Sequence, residues 1–573
     1  MNDPRTARLM SDALAGRISR RQALSLGLRL GLATPAIAAL MAAAPASGLA
    51  ALPAAAPSRL PSAQKGSGTL NVIILSGFSD LDPQAAYDNL SSMFFVSTYE
   101  MLLQLKGSST DEYEPMLADS WEASKDLSTY TFKLAPGAKF QDGTPCDAQA
   151  VKDSFIRFLK LAMGPVNVIS RFVKDPKQME VVDASTIRFN LGKPQPLFLP
   201  AMASEYGPFI VNPKAVADNK TAEDPYAHDW LQQNTAGSGP YVVKEYQPNE
   251  RVVLERFPDY HMGWEGNQFD QIIMRVVPEN ATRRQLIENG DADALTFSLT
   301  PDDVAALKSN PDLQVLTYDT TNVNWVDMNA PRLKTKEVRQ GFSYAFPYDQ
   351  VINGAYKGLL TRTSGPIPTS VRGYDPQGFL YKTDLAKAKE LILSGGFKEG
   401  EPFEYMVASD NEVERVVAQL FQDNVTKMGF TLNIQEVDGA TYNQFAYGDS
   451  PAEERPHFFG GWGWWPDYND PWNQLAPNFL KASFGNGAGN AGAWANDRFE
   501  AIMKEAETYT DETRLIALMK EAQNILTEQD PPAIYYGQLK WYTVLRKDIE
   551  GYYNNPLYLG SYPFYKMSRT ASG

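Results

Sequence analysis

Residues 403–437 read F-E-Y-M-V-A-S-D-N-E-V-E-R-V-V-A-Q-L-F-Q-D-N-V-T-K-M-G-F-T-L-N-I-Q-E-V. Phe403 to Ala408 is a short run of apolar and aromatic residues, the composition of a strand. Glu412 to Met428 repeats its apolar residues at helical spacing and stops at Gly429, which can take the left-handed turn that closes a helix. Phe430 to Val437 returns to strand character. Strand, helix, strand at this spacing is the building unit of an α/β lobe.

The same alternation extends outward in both directions. Leu70 to Leu75 is a buried-strand run, and Ser128 to Leu134 and Ser185 to Leu191 alternate polar with apolar residues. Ser97 to Leu105 carries helical spacing at Tyr99, Leu102 and Leu103. Asp147 caps a helix with Val151, Phe155, Phe158 and Leu159 on one face. Gly237 to Pro240 turns into a strand at Tyr241 to Val243, with Arg251 to Phe257 as its hairpin partner. Ile272 to Val277 is a strand, and Ala281 to Asn289 is a helix closed by Gly290. Val315 to Tyr318 and Val323 to Met328 read as two strands, and Lys336 to Phe346 as a helix. Asp384 caps a helix ended by Gly395 and Gly396. Asp497 to Gln529 is helical with few breaks, and Ala533 to Tyr536 is a strand. No period of 20–50 residues recurs, which excludes a solenoid. Mixed α/β lobes are expected.

A chain of 573 residues is too long for one ordinary core. Its net charge of −15 opposes binding to a phosphate backbone, so no nucleic acid partner is expected. The single cysteine, Cys146, can form neither an internal disulfide nor a cysteine zinc site. His228, His261 and His457 are the only histidines and lie far apart, so no metal is expected.

The N-terminus has the layout of an export signal. Arg20 and Arg21 precede an apolar run rich in Ala, Leu and Gly, which leads to small-residue sites at 44–46 and 48–50. The paired arginines point to the twin-arginine route. An uncleaved membrane anchor is the alternative, since 30–58 carries no charge. However, that run holds four prolines and is mostly alanine, which transfers weakly into lipid. Expected boundaries are a signal over 1–50 and a flexible leader over 51–68. The mature protein is expected in the periplasm.

The most unusual segment is 457–475, H-F-F-G-G-W-G-W-W-P-D-Y-N-D-P-W-N-Q-L. It holds Trp462, Trp464, Trp465 and Trp472, four of the ten tryptophans in the chain. Gly460, Gly461, Gly463 and Pro466 prevent a regular helix. Aromatic faces offer flat apolar surface and attract cations. Asp467 or Asp470 could anchor an amine through a charge-assisted hydrogen bond. Alternatively, the tryptophans fill a core and Asp470-Pro471 is only a turn.

Enzyme signatures are absent. The sequence has no G-x-S-x-G, no Walker-type phosphate loop and no dinucleotide fingerprint between a strand and a helix. Paired carboxylates are too common among 68 acidic residues to discriminate, so a secreted hydrolase stays open as the different-class alternative. No cofactor and no catalytic residue is expected.

Several motifs, taken in order, resemble the bacterial extracellular solute-binding proteins of family 5, the oligopeptide, dipeptide and nickel type. They are L-D-P at 81–83, Y-E-M-L at 99–102, P-M-L-A-D-S-W-E at 115–122, T-Y-T-F-K-L at 129–134 and K-F-Q-D-G-T-P at 139–145. G-S-G-P-Y follows at 237–241, V-L-E-R-F-P-D-Y at 253–260, V-R-Q-G-F-S-Y-A-F at 338–346 and W-W-P-D-Y-N-D-P at 464–471. The resemblance implies a two-lobed periplasmic binding fold of the large type II class, with the ligand cleft at the hinge. Lobe 1 would span 69–314 with an extra subdomain at about 105–200, lobe 2 would span 315–535, and 536–573 would return to lobe 1.

The resemblance also implies a function: a monomeric binding component that hands a peptide or other polar solute to an ABC permease and ATPase complex. It places Asp467 where peptide binders hold the ligand's amino terminus. Gly463 and Trp465 would pair their backbone with the ligand, with Trp464 between them. Tyr87 and Asn89 would be the first lobe's contribution, and Trp325 and Tyr536 would lie near the two hinge crossings. For these last four, ordinary packing is the equal alternative. The loop departs from the family pattern by an extra tryptophan and by Pro466. That leaves an oligosaccharide, glycoside or opine-like ligand open beside a peptide.

Overall fold

The computed structural model describes residues 68–570 apart from 297–298, 462 and 486–488. The signal expected over 1–50, the leader up to residue 67, and Trp462 lie outside the described residues.

The unit read over 403–437 forms. Strands Pro402–Ala408 and Thr431–Val437 run parallel, from Pro402 opposite Thr431 to Ala408 opposite Val437. Helix Glu412–Lys427 joins them, capped by the Asn411 side chain accepting from the Glu414 N–H. Gly429 takes φ 88°, the left-handed turn its lack of Cβ allows. The helix buries Val417, Ala418, Phe421 and Val425 against Phe403, Tyr405 and Phe458. Each such large side chain contributes about 1.5–3 kcal/mol by leaving water.

This unit is one end of an eleven-stranded mixed sheet. Its order is Thr431–Val437, Pro402–Ala408, Phe458–Gly460, Leu313–Met328, Ala533–Arg546, Ala294–Thr296, Thr69–Ile74, Gln271–Val276, Arg251–Arg256 and Tyr241–Gln247, with Leu360–Thr361 pairing on Ala533–Arg546. A separate antiparallel sheet runs Ala118–Ala123, Thr129–Leu134, Thr186–Asn190, Met179–Asp183, and helix Ala148–Leu161 packs on it. Asp147 caps that helix, as its sequence predicts.

Two long strands span the middle of the large sheet. Residues 313–319 pair with 540–546 and residues 323–327 pair with 533–538, with a register shift between Asp319 and Val323. The sequence reads these as shorter separate strands because Asp319, Thr320, Thr321 and Asn322 interrupt the apolar pattern. The two threonines stay in the strand with their hydroxyls met. Thr320 Oγ1 donates to the Leu539 carbonyl and Thr321 Oγ1 to the Pro556 carbonyl, both at 2.8 Å.

Two further differences have equally local causes. The helix expected from Ser97 lies earlier, at Asn89–Thr98, and Leu103–Leu105 is a strand. Tyr99, Leu102 and Leu103 are buried on every side, so their spacing records a core rather than a helix face. The helical run from Asp497 is two helices, Asp497–Ala506 and Glu512–Asn524, each with its own cap at Asn496 and Asp511. Among the described residues no helix is long and apolar enough to cross a membrane.

Candidate functional site

Strand Phe458–Gly460 pairs antiparallel with Val326–Met328 and then releases the tryptophan-rich loop. The loop rejoins the same long strand at Trp464. There the Val323 N–H donates to the Trp464 carbonyl and the Trp464 N–H to the Val323 carbonyl, both at 3.1 Å. In an antiparallel ladder, neighbouring residues aim their backbone groups to opposite sides. No backbone hydrogen bond of Gly463 or Trp465 occurs among the described residues. The close approach needs glycine. Gly463 has φ 71°, and a Cβ on it would stand 2.2 Å from the Val323 carbonyl oxygen.

Beyond Pro466 the chain enters helix Pro471–Phe479. Asp470 is its N-cap, accepting from the Trp472 N–H at 2.8 Å and the Asn473 N–H at 3.3 Å. Asp470 thus serves the helix, and of the two carboxylates read as amine anchors only Asp467 stands free of that duty. Burial pushes the Asp470 carboxyl up to about 6.

Asp467 is locked from both directions. Its Oδ1 accepts from Tyr87 Oη at 2.6 Å and its Oδ2 from Asn473 Nδ2 at 3.0 Å. Its own N–H donates to Asn473 Oδ1 at 2.6 Å. Burial pushes this carboxyl above the usual range, against the opposing pull of Tyr87, Asn473 and the Arg171 charge.

Further contacts link the loop and its helix to residues preceding the first long strand. Trp465 Nε1 donates to Tyr206 Oη at 3.1 Å. Arg171 donates to Tyr468 Oη at 2.7 Å and lies 4.1 Å over the Trp472 ring. Tyr206 packs edge-on against Tyr87, ring centres 5.0 Å apart. Tyr87 keeps 44% of its surface open despite these contacts, so it does not fill a core. Trp464 and Trp465 are half-buried and stack at 25°, centres 6.5 Å apart.

The sequence-derived residues therefore divide. Asp467, Gly463, Trp464, Trp465 and Tyr87 come together on this wall. Asn89 is half-buried in the first turn of helix Asn89–Thr98 and makes no hydrogen bond to the loop among the described residues. Trp325 is buried, its ring 5.7 Å from Phe479. Tyr536 is fully buried, stacked on Phe346, and donates to Glu414 Oε2 at 2.8 Å. That is the packing role, and the strand's period of two explains it, since Tyr535 and Tyr536 face opposite sides. Arg171, Tyr206 and Asn473 were not legible as site residues. Only Asn473 carried a signal, as the third residue of a helix with an Asp-Pro start. Among the described residues no group of His, Cys, Asp or Glu is arranged to hold a metal ion.

Comparison with known proteins agrees with this architecture. A family model described as bacterial extracellular solute-binding proteins, family 5, middle, matches residues 112–486. A probable D,D-dipeptide-binding periplasmic protein of Escherichia coli is 31% identical over 488 residues, covering 83% of this chain and 90% of that protein. Heme-binding protein A of Haemophilus influenzae is 28% identical, covering 82% and 86%. The solved structure of HbpA2 from Haemophilus parasuis superposes with a TM-score of 0.71 at 25% identity, covering 88% of this chain and all of that one.

Proposed function

The chain belongs to family 5 of the bacterial extracellular solute-binding proteins, and from that premise we propose that it captures a peptide or peptide-like solute and delivers it to an ABC importer. The observation that carries the ligand class is the backbone at Gly463 and Trp465, unpaired among the described residues, beside the Asp467 carboxylate. An extended peptide can add to that edge as a strand, and its amino terminus can meet Asp467. Trp464 and Trp465 supply apolar walls, and Tyr87 carries the first lobe's share of the contact. Relatives named for a D,D-dipeptide and for haem support capture of a solute without setting its identity.

On this reading the two lobes divide near 314/315 and 535/536, and the long strands are the hinge. Solute binding draws the lobes together, and the closed form is what the permease receives. The protein acts as a monomer in the periplasm after export by the twin-arginine route. It performs no catalysis. The stacked tryptophans favour a second reading, a glycoside or opine-like solute lying on their faces.

Native mass spectrometry of the protein with tri-alanine and with a glycoside of similar mass tests the choice. Peptide binding that is lost in Asp467→Ala supports the first reading. Glycoside binding that is lost in Trp465→Ala, with no peptide adduct, replaces it.

A further inference from the structure

A second carboxylate stands at the opposite end of the tryptophan-rich loop. Asp327 is the penultimate residue of strand Leu313–Met328 and pairs with Phe459. Strand alternation puts it on the face of Val323 and Trp325, while Val326 and Met328 enter the core under the α/β unit. Its Oδ1 accepts from Trp325 Nε1 at 3.0 Å. No other hydrogen bond and no ion pair to the Asp327 carboxylate occurs among the described residues.

The surroundings are aromatic. Tyr442 packs edge-on against Phe459, the strand partner of Asp327, ring centres 6.1 Å apart, and the Asp327 charge opposes ionisation of the Tyr442, Tyr447 and Tyr535 phenols. Trp325 and Tyr535 meet edge to face at 6.0 Å, and Tyr442 and Tyr447 at 6.4 Å. The Tyr535 hydroxyl is buried with no partner among the described residues. Gly461 lies across from the carboxylate. A Cβ there would stand 3.8 Å from Asp327 Oδ2 and 3.2 Å from the Trp325 carbonyl oxygen, so the missing side chain leaves an approach from the loop.

Three fully buried carboxylates, by contrast, are furnished with partners. Asp82 pairs with Arg157 and His228. Glu205 accepts from the Leu559 N–H and from Ser561. Glu414 accepts from Tyr405 and Tyr536. Asp327 is half-buried and has one indole donor and no counter-charge among the described residues, so its carboxylate keeps bonding capacity for a cation. Aromatic faces around an anion make a site for a cation.

We propose that Asp327, walled by Trp325, Tyr442, Tyr447 and Tyr535, is a cation subsite that selects solutes bearing an ammonium or guanidinium group. This rests on the reading that the tryptophan-rich loop lines the solute cleft. It makes Asp327 a determinant of which solute is taken, separate from the amine anchor at Asp467.

Calorimetry with tripeptides carrying one lysine at the first, second or third position, each against its norleucine counterpart, tests the subsite. At least one lysine peptide should bind the wild-type protein about tenfold more tightly than its counterpart, a difference of about 1.4 kcal/mol. Asp327→Asn should bring that ratio within about twofold and leave norleucine affinity unchanged. Asn keeps an oxygen for the Trp325 N–H. Should that variant misfold, Tyr447→Leu at the half-buried wall should reduce the preference about threefold. No lysine preference in the wild type, or a preference that survives Asp327→Asn, overturns the proposal. If no tripeptide binds at all, the peptide reading fails and cadaverine and choline become the probes. Binding of either that disappears in Asp327→Asn sustains the subsite, and its absence overturns it.

Discussion

Asp467 and Asp327 stand at the two ends of one loop, yet they are held in opposite ways. Asp467 has both oxygens engaged, by Tyr87 from the N-terminal part of the chain and by Asn473 from its own helix. Asp327 has a single donor, Trp325, two residues away on its own strand. On the proposed function, one carboxylate is therefore sensitive to whether the two sides of the cleft meet. The other is fixed within one side and is unaffected by closure. A group that must report closure needs partners from both walls, and a group that must discriminate between solutes needs vacant bonding capacity.

The largest break in this comparison should come from Asp467→Ala. Removing the anchor should weaken tri-alanine binding by about 100-fold, the range for a hydrogen bond to a charged group. Calorimetry reads it, and unchanged affinity would remove Asp467 from the site. Gly463→Ala should come next. A side chain at φ 71°, pointed at the Val323 carbonyl, should lift the loop off its strand and weaken tri-alanine binding roughly tenfold, from about 1–2 kcal/mol of backbone strain.

Tyr87→Phe sharpens the difference through pH. The Tyr87 hydroxyl stabilises the Asp467 carboxylate, so its loss raises the Asp467 pKa further. Amine binding needs the charged form. Tri-alanine affinity should therefore fall as pH is lowered, and the midpoint should lie higher in Tyr87→Phe than in the wild type. Identical midpoints would show that the two residues are not coupled.

The smallest effect should be on stability. Burial raises the Asp327 carboxyl from 3.8 to about 7. A folded-state pKa above the unfolded value means that the folded protein binds the extra proton, so this group costs stability as pH rises from about 4 to about 7. Asp327→Asn lacks that cost. Its melting temperature should exceed that of the wild type by about 1–3 °C at pH 8, and by nothing at pH 4. A uniform shift at both pH values would mean that the effect is packing rather than charge.

Much of the loop was legible. Its four glycines and prolines announced an irregular path, and its tryptophans and Asp467 announced binding chemistry. The roles inside it were less so. Asp470 looked equivalent to Asp467 until its backbone acceptor geometry assigned it to the helix start. Tyr535 and Tyr536 are adjacent and alike in composition, but strand alternation sends Tyr536 to the core with Phe346 and Tyr535 to the face of Trp325. Asp327 carried no signal, because a single acid in a strand means nothing until its neighbours are known to be aromatic and uncharged.

By itself, the sequence determined the alternation of strands and helices, the caps at Asp147 and Asp384, and the mixed α/β class. These depend on residues within a few positions of one another, where periodicity and capping chemistry act directly. Only the tertiary structure decided that Tyr87 meets Asp467 across 380 residues, that Arg171 covers Trp472, and that Asp327 is left with one donor. Those pairings join residues far apart in the chain, and no local pattern encodes that geometry.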